Sequence, residues 1–374
     1  MLLLLASCTP KPEVIDTFET YTQRLANILE TAPPELYEVT EISESHPLTH
    51  AKIHQLPNIS ALPLASEQSK LTLKDFYALP NCGTLKSIIA EHNTSLGRVQ
   101  DQALQFLYHD KLLNALNACV LAYTSEKSKI LSKSETRENK ETQGLIETLT
   151  NLKIEDKRIS WRNLLYTDKS LRAALYSPAI LMPDDTQAYS LSLSEFNYLQ
   201  HVSQSEFFES KTDAKSEAKA PTQLERTITQ SDLLNALKHI AQQKLPARLW
   251  NSFSYYRANF QRLNAFLNSE LRNLDCTTPK GKKQTEYLSN VMRLFFIEKI
   301  QPLASALNKQ HYQLSPMLSS IYTMPNANPE FDAFLQTQTK MLFEQYQQAL
   351  LDHVKIWQEV FKQCGVKVGL RKRL

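Results

Sequence analysis

The sequence predicts an all-α protein, an antiparallel helical bundle with long C-terminal helices and a Pro-rich N-terminal strap. Two observations predict this class. Apolar residues recur at three- and four-residue spacing through most of the chain, as they do on one face of a helix. The 374 residues also include only 6 glycines, about a quarter of the usual frequency. This scarcity disfavours hairpin-rich β folds, phosphate-binding loops and nucleophile elbows, which all draw on glycine.

The helices are predicted in order from this spacing. Apolar positions indicate helices over 13–30, two helices within 71–124, and then 145–175, 222–244, 246–274, 286–308 and 331–362. Pro302 is expected to interrupt the segment 286–308, and Gly365 to follow the end of the last helix. The Ser/Leu alternation from Tyr189 to Leu193 predicts a short extended piece.

The composition divides the chain into four segments. They are residues 1–8, a remnant of a signal; 9–70, an N-terminal helix and Pro-rich tether; 71–365, a helical domain with a flexible insertion at 209–221; and 366–374, a basic tail. An aromatic stripe in the domain has helical spacing and is predicted to belong to the core: Trp250, Phe253, Tyr256, Phe260 and Phe266.

The charges are nearly balanced, with 42 Lys and Arg against 39 Asp and Glu and a net charge of +3. A dedicated nucleic-acid binder needs a basic excess, so we expect no nucleic-acid partner. His46, His50 and His54 recur every four residues, but Pro47 disfavours the helix that would bring them together. We therefore assign no metal ligand, and no motif indicates a cofactor.

The first residues are typical of the end of a bacterial lipoprotein signal. A leucine run ends in Leu5-Ala6-Ser7-Cys8, the lipobox pattern of small residues before a cysteine. We expect the Cys8 thiol to carry a lipid, and three acyl chains exceed what stable anchoring requires. Thr9 stands where an aspartate would retain a lipoprotein in the inner membrane, so it favours the outer membrane. The apolar stretch is shorter than a complete signal, so we expect the start of the signal to lie upstream.

The chain has five cysteines. Lipidation of Cys8 leaves Cys82, Cys119, Cys276 and Cys364, an even number in a compartment where disulfides persist. Four cysteines allow three connectivities, and the sequence alone does not choose among them. We favour Cys82–Cys119 and Cys276–Cys364, because each pair lies in helical segments of the same half of the chain.

The segment Glu91 to Val99, between two predicted helices, is the candidate binding site. Its polar side chains that could line a pocket are Glu91, Asn93, Ser95 and Arg98. Glu91, His92 and Ser95 could act as base, acid and nucleophile, but no second motif supplies an oxyanion hole. No catalytic residue is therefore assigned. Capping explains the same stretch, with Gly97 as the left-handed residue after a helix end.

Several motifs resemble a family of proteobacterial lipoproteins of unknown function, DUF3080. The resemblance is carried by Cys82-Gly83-Thr84-Leu85, Ile89 to Val99, Cys119, Tyr287 to Leu303, His353 to Gln358 and Cys364-Gly365. It covers most of residues 71–365. It implies a lipobox and paired cysteines and no assigned activity. The family often has arginine where His92 stands, which argues against a role for that imidazole.

Together these observations favour a lipoprotein on the periplasmic face of the outer membrane. We expect it to be a non-enzymatic structural protein, or one that docks an unknown envelope protein, with its N-terminal lipid in the membrane. One alternative is an envelope hydrolase or ligand-binding protein that uses a polar pocket near Glu91–Arg98. Another is a cytosolic helical adaptor with reduced thiols. A concave cavity lined by the Glu91–Arg98 loop would favour the first alternative.

Overall fold

The computed structural model describes residues 12–40, 56–62, 77, 82–97, 100–129, 137–184, 189–204, 228–324 and 327–366. Its α-helices are α1 Glu13–Leu29, α2 Gly83–His92, α3 Gln102–Lys129, α4 Arg137–Thr167, α5 Lys169–Leu175, α6 Ser190–Gln204, α7 Gln230–Gln243, α8 Leu245–Glu270, α9 Pro279–Val291, α10 Gln301–Tyr322, α11 Pro329–Gln336 and α12 Leu342–Gln363. Two π-helical segments, Met292–Ile300 and Thr337–Met341, join α9 to α10 and α11 to α12. No strand occurs within the described ranges. The all-α class is therefore confirmed.

Helix α1 packs into the main core. Val14, Phe18, Tyr21 and Leu25 follow the predicted three- and four-residue spacing, and all four are buried. The Phe18 ring contacts three aromatic rings of α8 edge-on, at centroid distances of 5.3 to 5.8 Å. The predicted helix over 13–30 is confirmed, and its apolar face is held by the same core as the helices that follow.

The Pro-rich strap lies on the helical body wherever the structure describes it. The backbone N–H of Tyr37 donates to Asn259 Oδ1 at 2.8 Å, and Asn259 Nδ2 donates back to the Tyr37 carbonyl at 3.3 Å. Further along, Arg172 donates to the Pro57 carbonyl at 2.6 Å, and Leu62 is buried. The buried Asn259 of α8 and the partly buried Arg172 of α5 thus supply hydrogen bonds that an extended strap cannot make internally.

Helices α3 and α4 form an antiparallel hairpin that crosses two separate apolar clusters. Near the α2 end, Leu112, Leu116 and Ile146 belong to a small cluster; near the other end, Phe106 and Trp161 belong to the main core. Each helix runs without interruption from one cluster to the other. The end of the hairpin that packs against α2 therefore has its own small core, and we call this end, together with α2, the arm.

Two predictions of secondary structure are wrong. The expected extended piece at Tyr189–Leu193 instead opens α6, because Ser192, Phe196 and Leu199 form a buried face at helical spacing. A five-residue alternation is too short to outweigh that face. The predicted interruption of the helix at Pro302 is also absent. Pro302 stands at the start of α10, directly after the π-helical turns, where the missing N–H of proline is tolerated.

Helices α8 and α12 run parallel to each other, unlike the antiparallel pair α3 and α4. Their contacts advance together along both helices, from Arg257–Gln345 to Asn264–Ala349. The intervening α9 and α10 return the chain to its starting end, so the last helix can repeat the direction of α8. After α12 the chain turns at Gly365, whose φ of +65° suits glycine, as predicted.

The core fills the space between these helices with aromatic rings. Trp250, Phe253, Tyr256 and Phe260 are buried, and Phe266 packs partly buried against the same cluster. The aromatic stripe is therefore part of the core, as predicted.

Candidate functional site

The predicted polar loop after α2 is an exposed turn. The Thr94 hydroxyl donates to the Glu91 carbonyl at 2.8 Å and accepts from the Gly97 N–H at 3.1 Å. Glu91, Asn93 and Ser95 are all exposed to solvent. Arg98 lies outside the described residues. These hydrogen bonds are the ones expected where a helix ends in a turn, so they explain the conformation of the loop without a ligand.

Gly97 serves the turn in a different way from the one predicted. Its φ is not positive; instead, a Cβ at this position would stand 2.6 Å from the His92 carbonyl oxygen and 2.7 Å from that of Glu91. The turn requires glycine because the backbone folds back closely over the end of α2.

A layer of charged and polar side chains separates the two apolar clusters of the α3–α4 hairpin. Lys157 of α4 forms an ion pair with Asp110 of α3, and both side chains are at least nine-tenths buried. Burial lowers the pKa of Lys157 to about 8, against the opposing effect of Asp110. Burial also lowers the pKa of the adjacent His109 to about 4. This polar layer marks the boundary between the arm and the main core.

A chain of hydrogen bonds crosses the core beneath α12. Trp357 Nε1 donates to the Tyr21 hydroxyl at 3.0 Å, and that hydroxyl lies 2.9 Å from His353 Nε2. His353 Nδ1 lies 2.8 Å from Asn264 Oδ1, and Asn264 Nδ2 donates to the Ala349 carbonyl at 3.0 Å. All of these side chains are buried. The network joins α1, α8 and α12.

The partners determine where the protons of this network lie. The Ala349 carbonyl can only accept, so Asn264 directs its NH₂ group there and its oxygen toward His353. His353 must then carry its proton on Nδ1, and its Nε2 accepts from the Tyr21 hydroxyl. Burial lowers the pKa of His353 to about 3 and raises the pKa of Tyr21. The network is therefore neutral at neutral pH, with each of these bonds made between a donor and an acceptor.

Helices α8 and α12 leave a groove of about 490 Å³ along their seam, and Asn264 belongs to both the groove and the network. The groove is lined by the carboxamides of Gln261, Asn264, Asn268, Gln345 and Gln348. Asp352, Lys355 and Glu359 of α12 add charged groups, and Ala349 and Ile356 add apolar surface. We call this feature the amide groove.

Hydrogen bonds to neighbouring side chains orient two of these carboxamides, one to the buried Arg257 and one, exposed to solvent, to Asp352 on the same helix. Arg257, which can only donate, holds the Gln345 Oε1 at 2.6 Å. Asp352, which as a carboxylate can only accept, takes a hydrogen bond from Gln348 Nε2 at 2.7 Å. Gln345 therefore retains its NH₂ group for a ligand, and Gln348 retains its carbonyl oxygen. The amide groove can recognise a partner by hydrogen bonding.

Within the described ranges, no group of three or more His, Cys, Asp or Glu side chains could hold a metal ion. The histidines at 46, 50 and 54 lie outside those ranges, as does Cys8. Among the described helices, none combines the length and apolar character needed to cross a membrane.

The cysteines pair as we favoured. Cys82 bonds to Cys119 with a Cα–Cα distance of 5.7 Å, which joins the start of α2 to α3. Cys276 bonds to Cys364 with a Cα–Cα distance of 5.3 Å, six residues beyond α8 and one beyond α12. The second disulfide thus ties together the ends of the two helices that form the amide groove.

No motif in the sequence predicts the amide groove. His353 and Trp357 lie four residues apart, among motifs that carry the family resemblance, and this spacing places them on one face of α12. Their partners Tyr21 and Asn264 are 332 and 89 residues away from His353. Only the tertiary structure brings these side chains together.

The fold and the site define an all-α protein braced by two disulfides, with a polar groove between parallel helices. The chain belongs to DUF3080, a family of proteins of unknown function, whose match covers residues 18–368. The resemblance read from the motifs is thereby confirmed. Comparison with curated proteins and with solved structures finds no significant match.

Proposed function

We propose that the protein is an outer-membrane lipoprotein of the periplasmic face, anchored by a lipid on Cys8. The observation that carries this proposal is the pairing of Cys82 with Cys119 and of Cys276 with Cys364. The two disulfides use every cysteine except the one in the lipobox. Disulfides persist in oxidising compartments and are rare in the cytosol, which disfavours a cytosolic adaptor.

The role we propose is non-enzymatic docking of an envelope protein. The amide groove supports docking because it offers hydrogen-bond donors and acceptors on two rigid helices. The alternative, a hydrolase centred on Glu91 and Ser95, has weaker support. Those side chains lie exposed on a turn that forms hydrogen bonds within itself, and neither of them lines the amide groove.

The anchor is tested by metabolic labelling with an alkyne analogue of palmitate in a Gram-negative host, using the gene with its full 5′ coding sequence. We expect the wild-type protein to be labelled and to sediment with outer membranes. Cys8→Ser should lose the label and the membrane association, because the thiol is the acceptor of the lipid. A Cys82→Ala/Cys119→Ala control should keep the label. An unlabelled wild-type protein would refute the anchor.

Sorting is tested with Thr9→Asp. We expect this variant to keep its acyl label and to move to the inner membrane on a density gradient. A wild-type protein that is acylated but sediments with the inner membrane would contradict the outer-membrane part of the proposal alone.

A further inference from the structure

The helical walls and the floor of the amide groove are preorganised. Its two walls are α-helices that run parallel, and Asn264 on its floor is held by the buried hydrogen bonds to His353 and Ala349. The Cys276–Cys364 disulfide ties the helices just beyond the groove. A site on rigid elements loses little conformational freedom on binding, which favours affinity.

The lining is unlike that of most small-molecule sites. Those sites usually include aromatic side chains, whereas the amide groove is lined by five carboxamides, three charged side chains and two aliphatic residues, with no aromatic ring among them. A pyranose ring presents apolar faces that stack on aromatic rings, and no aromatic side chain lines the amide groove. The amide groove instead offers a donor at Gln345 and an acceptor at Gln348. That pattern matches an extended peptide backbone, which presents N–H and C=O groups in turn.

The available atoms of Gln345 and Gln348 fit this backbone. Arg257 leaves Gln345 with a free NH₂ group that can donate to a carbonyl, and Asp352 leaves Gln348 with a carbonyl oxygen that can accept from an N–H. The two residues are three positions apart, a rise of about 4.5 Å along α12. One residue of an extended chain spans about 3.3 Å, so neighbouring peptide groups can reach both.

The charges of the amide groove favour a basic segment over an acidic one. Asp352 and Glu359 outnumber Lys355, which lies 3.6 Å from Asp352. An additional Lys or Arg on the ligand would meet Glu359, while an acidic side chain or a phosphate would be repelled.

We propose that the amide groove binds an extended segment of a partner protein through its backbone, with a preference for segments that carry Lys or Arg. This inference rests on the proposed docking function and names the partner's chemistry. It does not depend on the lipid anchor, so the acyl label and peptide binding can fail separately.

The test is selection of a phage-displayed library of random heptapeptides on the full-length protein in detergent micelles. We expect enriched peptides with more Lys and Arg than Asp and Glu. Gln348→Leu should weaken their binding about five- to tenfold, since one hydrogen bond is lost. Gln358→Leu is the matched control, because this exposed residue of α12 lies outside the groove. It should bind the peptides as the wild type does.

A second measurement isolates the backbone. Methylation of the central amide nitrogens of an enriched peptide removes the N–H groups and should weaken binding by a similar factor. The proposal is overturned if no peptide is enriched, if Gln348→Leu binds as tightly as Gln358→Leu, or if the methylated peptide binds equally well. Binding of chitotetraose that competes with the peptides would instead assign the groove to a glycan and overturn the peptide proposal.

Discussion

At the residue scale, buried histidines show how burial controls protonation in this core. His353 has every ring nitrogen in a hydrogen bond, whereas His311 is held by stacking on Phe343 at a centroid distance of 3.7 Å. Burial lowers the pKa of His311 to about 4 and that of His353 to about 3. Both imidazoles are therefore neutral when the protein is folded at neutral pH.

These shifts predict acid sensitivity. An unfolded histidine has a pKa of about 6.5, so between about 6.5 and 4 the unfolded chain binds more protons than the folded one. Stability should therefore fall as the pH drops through that window, by up to about 2 kcal/mol per buried histidine between pH 7 and pH 5. Urea unfolding at several pH values measures the slope.

His311→Leu should make this slope shallower, because it removes one of the groups concerned. His201→Leu is the control: His201 is exposed, and its replacement should leave the slope as it is. Equal slopes for the wild type and His311→Leu would contradict the prediction.

At the element scale, the α3–α4 hairpin contains a buried ion pair between Asp110 and Lys157. The pair lies where the two helices pass from one apolar cluster to the other. A polar pair at one level of a helix hairpin fixes the register, because sliding either helix by one turn would bury both charges apart from each other.

Lys157→Leu should lower the free energy of unfolding by about 3 to 5 kcal/mol, since Asp110 stays buried without its ammonium partner. The double variant Asp110→Leu/Lys157→Leu should recover most of that loss. Lys280→Leu is the control, because its ion pair with Glu30 is well exposed and should contribute less than about 1 kcal/mol. Urea denaturation provides all three values. A double variant as unstable as Lys157→Leu would argue against the charge explanation.

At the scale of the whole molecule, the two disulfides brace opposite parts of the fold. Cys82–Cys119 closes a separation of 37 residues in the arm, and Cys276–Cys364 closes one of 88 residues in the main body. Longer loops lose more entropy in the unfolded chain when they are closed. The second bond should therefore stabilise slightly more.

Replacing Cys276 and Cys364 together by alanine should cost about 4.6 kcal/mol, and replacing Cys82 and Cys119 about 3.8 kcal/mol, in the chain-entropy model. Guanidinium unfolding under oxidising conditions measures both losses. Addition of a thiol reductant should remove the difference between wild type and variants. If the reductant left the free energy of unfolding of the wild type unchanged, these bonds would not form in solution.

The local sequence alone determines many of the helices of this protein. The 3.6-residue period predicted α1, the aromatic face of α8 and the long last helix, because a stripe of apolar residues marks the buried face of a helix whatever packs against it. The favoured cysteine pairs followed from their positions near helix ends. Local pattern failed where two signals competed over few residues, as at Tyr189–Leu193 and at Pro302.

The tertiary structure alone decided the amide groove and the network beneath it. The spacing of Gln345, Gln348 and His353 places them on one helix, but it does not tell which helix will lie opposite or in which direction. That choice depends on the parallel packing of α8 and α12, and on Tyr21 arriving from α1 more than three hundred residues away in sequence. Hydrogen-bond partners at such separations are set by the global arrangement of the helices, which periodicity does not encode.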